Sequence, residues 1–261
     1  VTTTIVTVDV PILKDPTPAS EVHRTADPEA YALEVALRSL VPLAGATNPR
    51  DHQRAVGASE IGHPCPRRIA YRLAGATPAH LQDPMRRMSG TGLHLALAEG
   101  FRRLDAGAGR FLVEHPVRYR GVPGTVDLYD RLTHTIVDWK STVRSKLARV
   151  RNDGPRAEYA VQAHTYGAGL LAQGEDVRHV ALAFIAVDGT LDDLYVVRYP
   201  LDVARADQAI DRLNTIAHTE LTEVLGVTPS TVEARPGLHC KWCDYYNPST
   251  TDLDVACDPT R

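Results

Sequence analysis

The chain has 261 residues, 43% of them hydrophobic and 23% charged, which supports a sizeable core in one domain with a small appended lobe. No stretch approaches the uninterrupted apolar length of a membrane helix. Val1 to Val10 lacks the basic and apolar regions of a signal peptide, so the expectation is a cytoplasmic protein with no membrane association. A net charge of −3 does not mark a nucleic-acid binder, although only a surface that faces phosphate need be basic.

Residues 1–20 read as irregular, broken by Pro11, Pro16 and Pro18. Asp27-Pro28 then opens a helix to about Leu40, with Asp27 as its cap. Gly45 to Arg54 reads as a loop, and Ser59–Leu73 as a turn entering a helix at Pro66. A second helix spans Met85–Leu104, where Leu93, Leu97, Phe101 and Leu104 repeat at helical spacing and His94 borders the stripe. The period then changes. Arg110–Arg120, Val122–Asp130 and Thr135–Lys140 read as strands with tight connections. Ala157–Ala172 is a helix, Val177–Val187 and Leu191–Tyr199 are strands split by Asp188-Gly189, and Leu201–Leu225 is the last long helix. From Pro229 the chain is irregular. The order predicts an α/β core with a mixed or mainly antiparallel central sheet flanked by helices.

Asp127 lies on one strand, and Asp138-Trp139-Lys140 on the next. Period-two alternation puts Asp138 and Lys140 on one face and Val137 and Trp139 on the other. Two neighbouring carboxylates repel unless a cation sits between them, and Mg²⁺ suits hard oxygen ligands. An isolated Asp-x-Lys is more readily an edge-strand ion pair. Gln162 and Tyr166, four apart on the following helix, share a face. Between them, Lys140 to Arg156 carries six basic residues against a single Asp153. Of these, Arg144, Lys146, Arg149 and Arg151 are candidate DNA contacts, or a solvated loop face.

Cys65, Cys240, Cys243 and Cys257 are the four cysteines, with a Cys-x-x-Cys turn among the last three. Four thiolates can hold zinc or an iron–sulfur cluster. His63 and His239 lie near enough in sequence to serve zinc.

The ordered set His94, Gly124/Asp127, Asp138/Lys140 and Gln162/Tyr166 resembles the RecB-like branch of the PD-(D/E)XK nuclease superfamily, whose fold is the restriction-endonuclease-like core. The resemblance implies that His94, Asp127, Asp138 and the Trp139 carbonyl bind Mg²⁺ or Mn²⁺. It implies that Lys140 assists the attacking water, and that Gln162 and Tyr166 position the strand or the lysine. Ser59 through Tyr71, with one early and three late cysteines, is similar to the iron–sulfur members of that branch. These are the CRISPR-associated RecB-like exonucleases and the AddB-type nuclease domains. That likeness implies a [4Fe–4S] cluster on the four cysteines, zinc being the alternative. Cys257 follows Cys243 at a longer interval than those families show.

The chain is thus expected to be one nuclease domain over 1–261. Its catalytic core would span 85–226, and its N-/C-terminal iron–sulfur lobe 55–75 with 229–261. The implied activity is a metal-dependent DNA exonuclease acting on single strands or DNA ends, with recombination-complex proteins as partners. An accessory DNA-binding subunit and an endonuclease on the same core are the other readings.

Overall fold

A computed structural model describes residues 28–45, 56–80, 83–218 and 228–261. The chain divides into two compact units, Val1–His52 with Asp83–Met85, and Gln53–Gln82 with Arg86–Arg261. In the first, α1 (Pro28–Gly45) runs past the expected end at Leu40. The proposed cap Asp27 and most of the Gly45–Arg54 loop lie outside the described residues.

The larger unit is built on a five-stranded mixed sheet in the order β1-β2-β3-β4-β5. The strands are β1 (Phe111–Tyr119), β2 (Val122–Asp130), β3 (Thr135–Thr142), β4 (His179–Ala186) and β5 (Tyr195–Pro200). All neighbours are antiparallel except β3 and β4, which run parallel. A parallel pair needs a crossover. Here α5 (Arg144–Asp153) and α6 (Ala157–Ala172) provide it. The α/β class and mixed sheet agree with the strand and helix pattern of the sequence.

Helix α6 is buried from Gln162 to Leu170. It comes close to its neighbours through glycine: a Cβ on Gly167 would meet Leu201 at 2.4 Å, and one on Gly169 would meet Val117 at 3.1 Å. α7 (Val203–Ala217), capped by Asp202 accepting the Arg205 N–H, packs on α6 with Ala206, Ile210 and Leu213 buried. Most of its expected extension to Leu225 lies outside the described residues. The short α2 (Ala58–Ile61) also packs on α6, and α3 (Pro66–Leu73) begins at Pro66 as predicted. α4 spans Met85–Asp105.

Three expectations change. The Lys140–Arg156 segment is not a loop, because Arg144–Asp153 folds as α5 over the buried Leu147. Leu191–Asp193 is a 3₁₀ turn rather than strand, since Thr190 and Asp193 cap each other's backbone and stop extension. Leu104 leaves the apolar stripe and is 69% exposed. The stripe ends at Phe101, which packs edge-on to Phe111 and stacks with Trp139. No described helix is long and apolar enough to cross a membrane.

Candidate active site

Two irregularities in the sheet build the site. β1 and β2 form a hairpin through Arg120 and Gly121, both at positive φ (45° and 89°), with Tyr119 opposite Val122. That turn fixes the register, and Glu114 falls across from Asp127, between the pairs Val113↔Leu128 and His115↔Val126. Glu114 itself adopts φ 49°, a left-handed conformation unfavourable for a residue with a Cβ. The second irregularity is a fork. β2 and β3 stay paired only to Leu128↔Val137, whereas β3 follows β4 to Thr142↔Ala186. Regular hairpin pairing between Asp127 and Asp138 is therefore not formed. Instead Asp127 Oδ2 accepts the Trp139 N–H at 2.8 Å.

His94 on α4 closes the fork. Its Nδ1 lies 3.4 Å from Asp127 Oδ1 and its Nε2 3.1 Å from the Trp139 carbonyl. The hydrogen bond to Asp127, with the charges of Asp127, Asp138 and Glu114, raises the imidazole above its ordinary pKa against the opposing effect of burial. One ligand atom each from His94, Glu114 and Asp127 lies within 4.8 Å of the others. A nitrogen and two carboxylate oxygens are a donor set suited to a divalent cation.

Asp138 and Lys140 project together toward α6. Lys140 Nζ lies 2.7 Å from Asp138 Oδ2 and donates to Gln162 Oε1 at 2.8 Å. Gln162 Nε2 in turn donates to the Tyr166 hydroxyl at 2.7 Å. Asp138 is 1% exposed, and burial pushes its carboxyl up to about 6 despite the Lys140 ammonium, with Asp127 adding to the rise. Its Oδ2 has the ion pair but no directed hydrogen bond. Gly124 matters here for space alone: a Cβ would meet the Tyr166 ring at 2.4 Å, so the ring can lie over β2 only on glycine.

The structure thus gathers His94, Asp127, Asp138, Trp139, Lys140, Gln162 and Tyr166 into one connected group. Asp138 is held by Lys140 and is not one of the His94–Glu114–Asp127 triplet, although the charges of Asp127 and His94 act on it. Glu114, which the sequence offers only as an accessory acidic residue on the preceding strand, joins the triplet; the hairpin register around Gly121 is the signal that points to it. Tyr159 was not singled out either. Its ring lies 4.6 Å from Lys140 Nζ, and its place three residues before Gln162 on one helix face is the clue.

The basic residues of α5 are exposed but partly engaged. Arg144 pairs with Asp193 at 2.7 Å, Arg149 with Asp153 at 3.3 Å, and Arg151 lies over the Tyr195 ring.

Cys65 caps α3, and the other three cysteines sit in the irregular tail. Buried Arg67 ties α3 to that tail through the Val232 and Arg261 carbonyls, while Tyr71 stacks on Tyr245. All four cysteines are free thiols and line one cavity with Arg68 and Arg235. Burial raises the thiol pKa of Cys243, and that of Cys257 to about 11. The expected compact metal cluster is not formed: among the described residues, His94, Glu114 and Asp127 alone make a three-ligand group, and no three cysteine sulfurs come within 4.8 Å of one another. Uncompensated thiols at these spacings have no reason to close further.

No family model matches the chain, and no curated protein does. Among solved structures, an alkaline exonuclease from Laribacter hongkongensis aligns at 16% identity with a TM-score of 0.43, over 62% of this chain and 85% of that one. A structure named SSO0001 aligns at 15% and 0.39, covering 73% and 83%. A phage-related exonuclease from Haemophilus somnus 129PT aligns at 14% and 0.35, covering 66% and 81%.

Proposed function

We propose that this chain is a divalent-cation-dependent nuclease that hydrolyses DNA phosphodiester bonds, with Mg²⁺ or Mn²⁺ held in the β2–β3 fork. The observation that carries this reading is the meeting of His94, Glu114 and Asp127 in the fork, with the buried Asp138 ion-paired to Lys140 on the adjoining strand. Buried carboxylates crowded this way favour a cation. His94, Glu114, Asp127, Asp138 and the Trp139 carbonyl are the proposed ligands. A cation there supplies Lewis acidity to a phosphoryl oxygen and acidity to water. In the reaction a water oxygen bonds to phosphorus, the bond to the leaving sugar oxygen breaks, and that oxygen takes a proton. Lys140, ion-paired with Asp138 and donating to Gln162, keeps N–H capacity for the charge that grows on the phosphate. Gln162 and Tyr166 hold it there.

The finer form of the proposal is an exonuclease acting at DNA ends, with α5 guiding the strand and 85–226 as the catalytic core. End-labelled DNA incubated with Mg²⁺ or Mn²⁺ tests it. Lys140→Ala and Asp138→Ala should each lower the rate by about 10²-fold or more, and products should appear as mononucleotides from the end. Full activity in either variant would sink the hydrolytic assignment, and internal fragments would replace the exonuclease reading with an endonuclease one.

For the lobe of residues 55–75 and 229–261, the proposed occupant of the cysteine cavity is a [4Fe–4S] cluster. A single zinc bound at about 2.3 Å from each sulfur needs all four sulfurs about 3.8 Å apart, whereas no three of these come within 4.8 Å of one another. A multinuclear cluster accepts wider spacing, and arginines around the cavity offset thiolate charge. Anaerobic purification should yield iron and acid-labile sulfide; stoichiometric zinc without iron would assign the cavity to zinc instead.

A further inference from the structure

Tyr159, in the first turn of α6, carries two cations. Lys140 Nζ lies 4.6 Å from the ring centroid, and the Arg156 guanidinium carbon 4.4 Å from it. Arg156 is also hydrogen-bonded to the Tyr159 hydroxyl and paired with Glu158 at 3.1 Å. Its side chain is nonetheless 65% exposed. A long surface arginine ordinarily samples many rotamers, and fixing it costs conformational entropy. Here Glu158 and the Tyr159 ring hold it in advance, and that ring also flanks the lysine of the candidate site.

We propose that Arg156 binds the nucleic-acid backbone phosphate adjacent to the one under attack, with Tyr159 as the shared platform that sets its distance from Lys140. The planar guanidinium has five N–H donors, so the Glu158 and Tyr159 contacts leave donors for a phosphate oxygen. Gly62, which follows α2, lies so close that a Cβ added there would meet the Glu158 Cα at 2.9 Å, so the backbone that carries Glu158 is held tightly at the end of α2. Arg156 is a positioning residue: it holds the polymer, not the reacting atoms. This rests on the nuclease reading above, but it can be tested separately from catalysis.

The experiment measures binding of a fluorescein-labelled single-stranded oligonucleotide to the full chain against salt concentration, with Ca²⁺ in place of Mg²⁺. Arg156→Ala should weaken binding and reduce the slope of log K against log salt by about one phosphate contact. Arg156→Lys should recover the slope but not the full affinity, since a flexible ammonium lacks the pre-set fork. Tyr159→Leu should reproduce part of the Arg156→Ala loss and Tyr159→Phe less of it, because the ring is kept. Arg178→Ala, an exposed arginine paired with Asp176 at the start of β4, is the control for simple loss of charge. With Mg²⁺ or Mn²⁺, the Arg156→Ala defect should fall mainly on KM. An unchanged slope in Arg156→Ala, or an equal fall in Arg178→Ala, overturns the proposal. A chain that binds the oligonucleotide with the expected slopes yet never cleaves it would uphold the phosphate subsite and refute the hydrolytic reading alone.

Discussion

Asp127 Oδ2 accepts the Trp139 N–H at 2.8 Å, taking with a side chain the position that a strand carbonyl would fill. Because of that bond β2 and β3 can separate without leaving a backbone donor unpaired. The same carboxylate faces His94 through Oδ1. One residue therefore opens the fork and furnishes it with a carboxylate.

This dual role separates two substitutions. Asp127→Asn keeps an oxygen for the Trp139 N–H, so the metal-free protein should stay within about 1 kcal/mol of the original. Asp127→Ala strands that N–H and should cost about 1–3 kcal/mol. Both should abolish the rise in thermal midpoint on adding Mn²⁺, a gain of about 2.7 kcal/mol at a concentration 100 times Kd. A normal Mn²⁺ response in Asp127→Asn would remove Asp127 from the ligand set.

Glu114 should show stability and binding moving apart. At φ 49° a side chain costs roughly 1–2 kcal/mol that glycine does not incur. Glu114→Gly should thus leave the metal-free protein as stable or more so, while calorimetric Mn²⁺ affinity falls about tenfold or more. Glu114→Gln should lose similar affinity without the gain in stability. Wild-type affinity in both variants would leave His94 and Asp127 without their third partner.

The pH dependence follows from Asp138. Its carboxyl is raised from 3.8 to about 6 by burial. A raised acid favours the folded state when protonated, so its contribution is fully present below the unfolded value of 3.8. It is lost as pH rises through about 6. Metal-free protein should therefore lose stability from this group between pH 4 and pH 6–7, and Asp138→Asn should flatten that loss in urea titrations. A steeper decline in the Asn variant would contradict the sign.

Gly124→Ala should act through Tyr166. The added methyl meets the ring at 2.4 Å, and overpacking of this kind costs about 1–3 kcal/mol. Displacing the ring also breaks its bond to Gln162, the partner of Lys140. Combined with Tyr166→Ala, the stability loss should be less than additive. Strict additivity in that double-mutant cycle would mean that the two residues do not meet.

The sequence determined the five strands and most of the long helices in their order, because alternation of period two and helical stripes are local properties of the chain; it did not show α5. It also determined which polar residues would meet: Asp138 and Lys140 share a strand face, and Gln162 and Tyr166 share a helix face, by spacing alone. Only the tertiary structure decided the rest. The β2–β3 fork depends on where strand pairing stops, which no local pattern encodes, and that stop gave Asp127 its bond to Trp139. Glu114 entered the site through one left-handed backbone angle set by the surrounding sheet. Tyr159 reached Lys140 because the crossover from β3 to β4 lays the first turn of α6 beside the end of β3. The cysteines were legible as a group of four, but their lining of one cavity, without closing to single-ion distance, depends on how Arg67 and Tyr71 anchor the tail to α3.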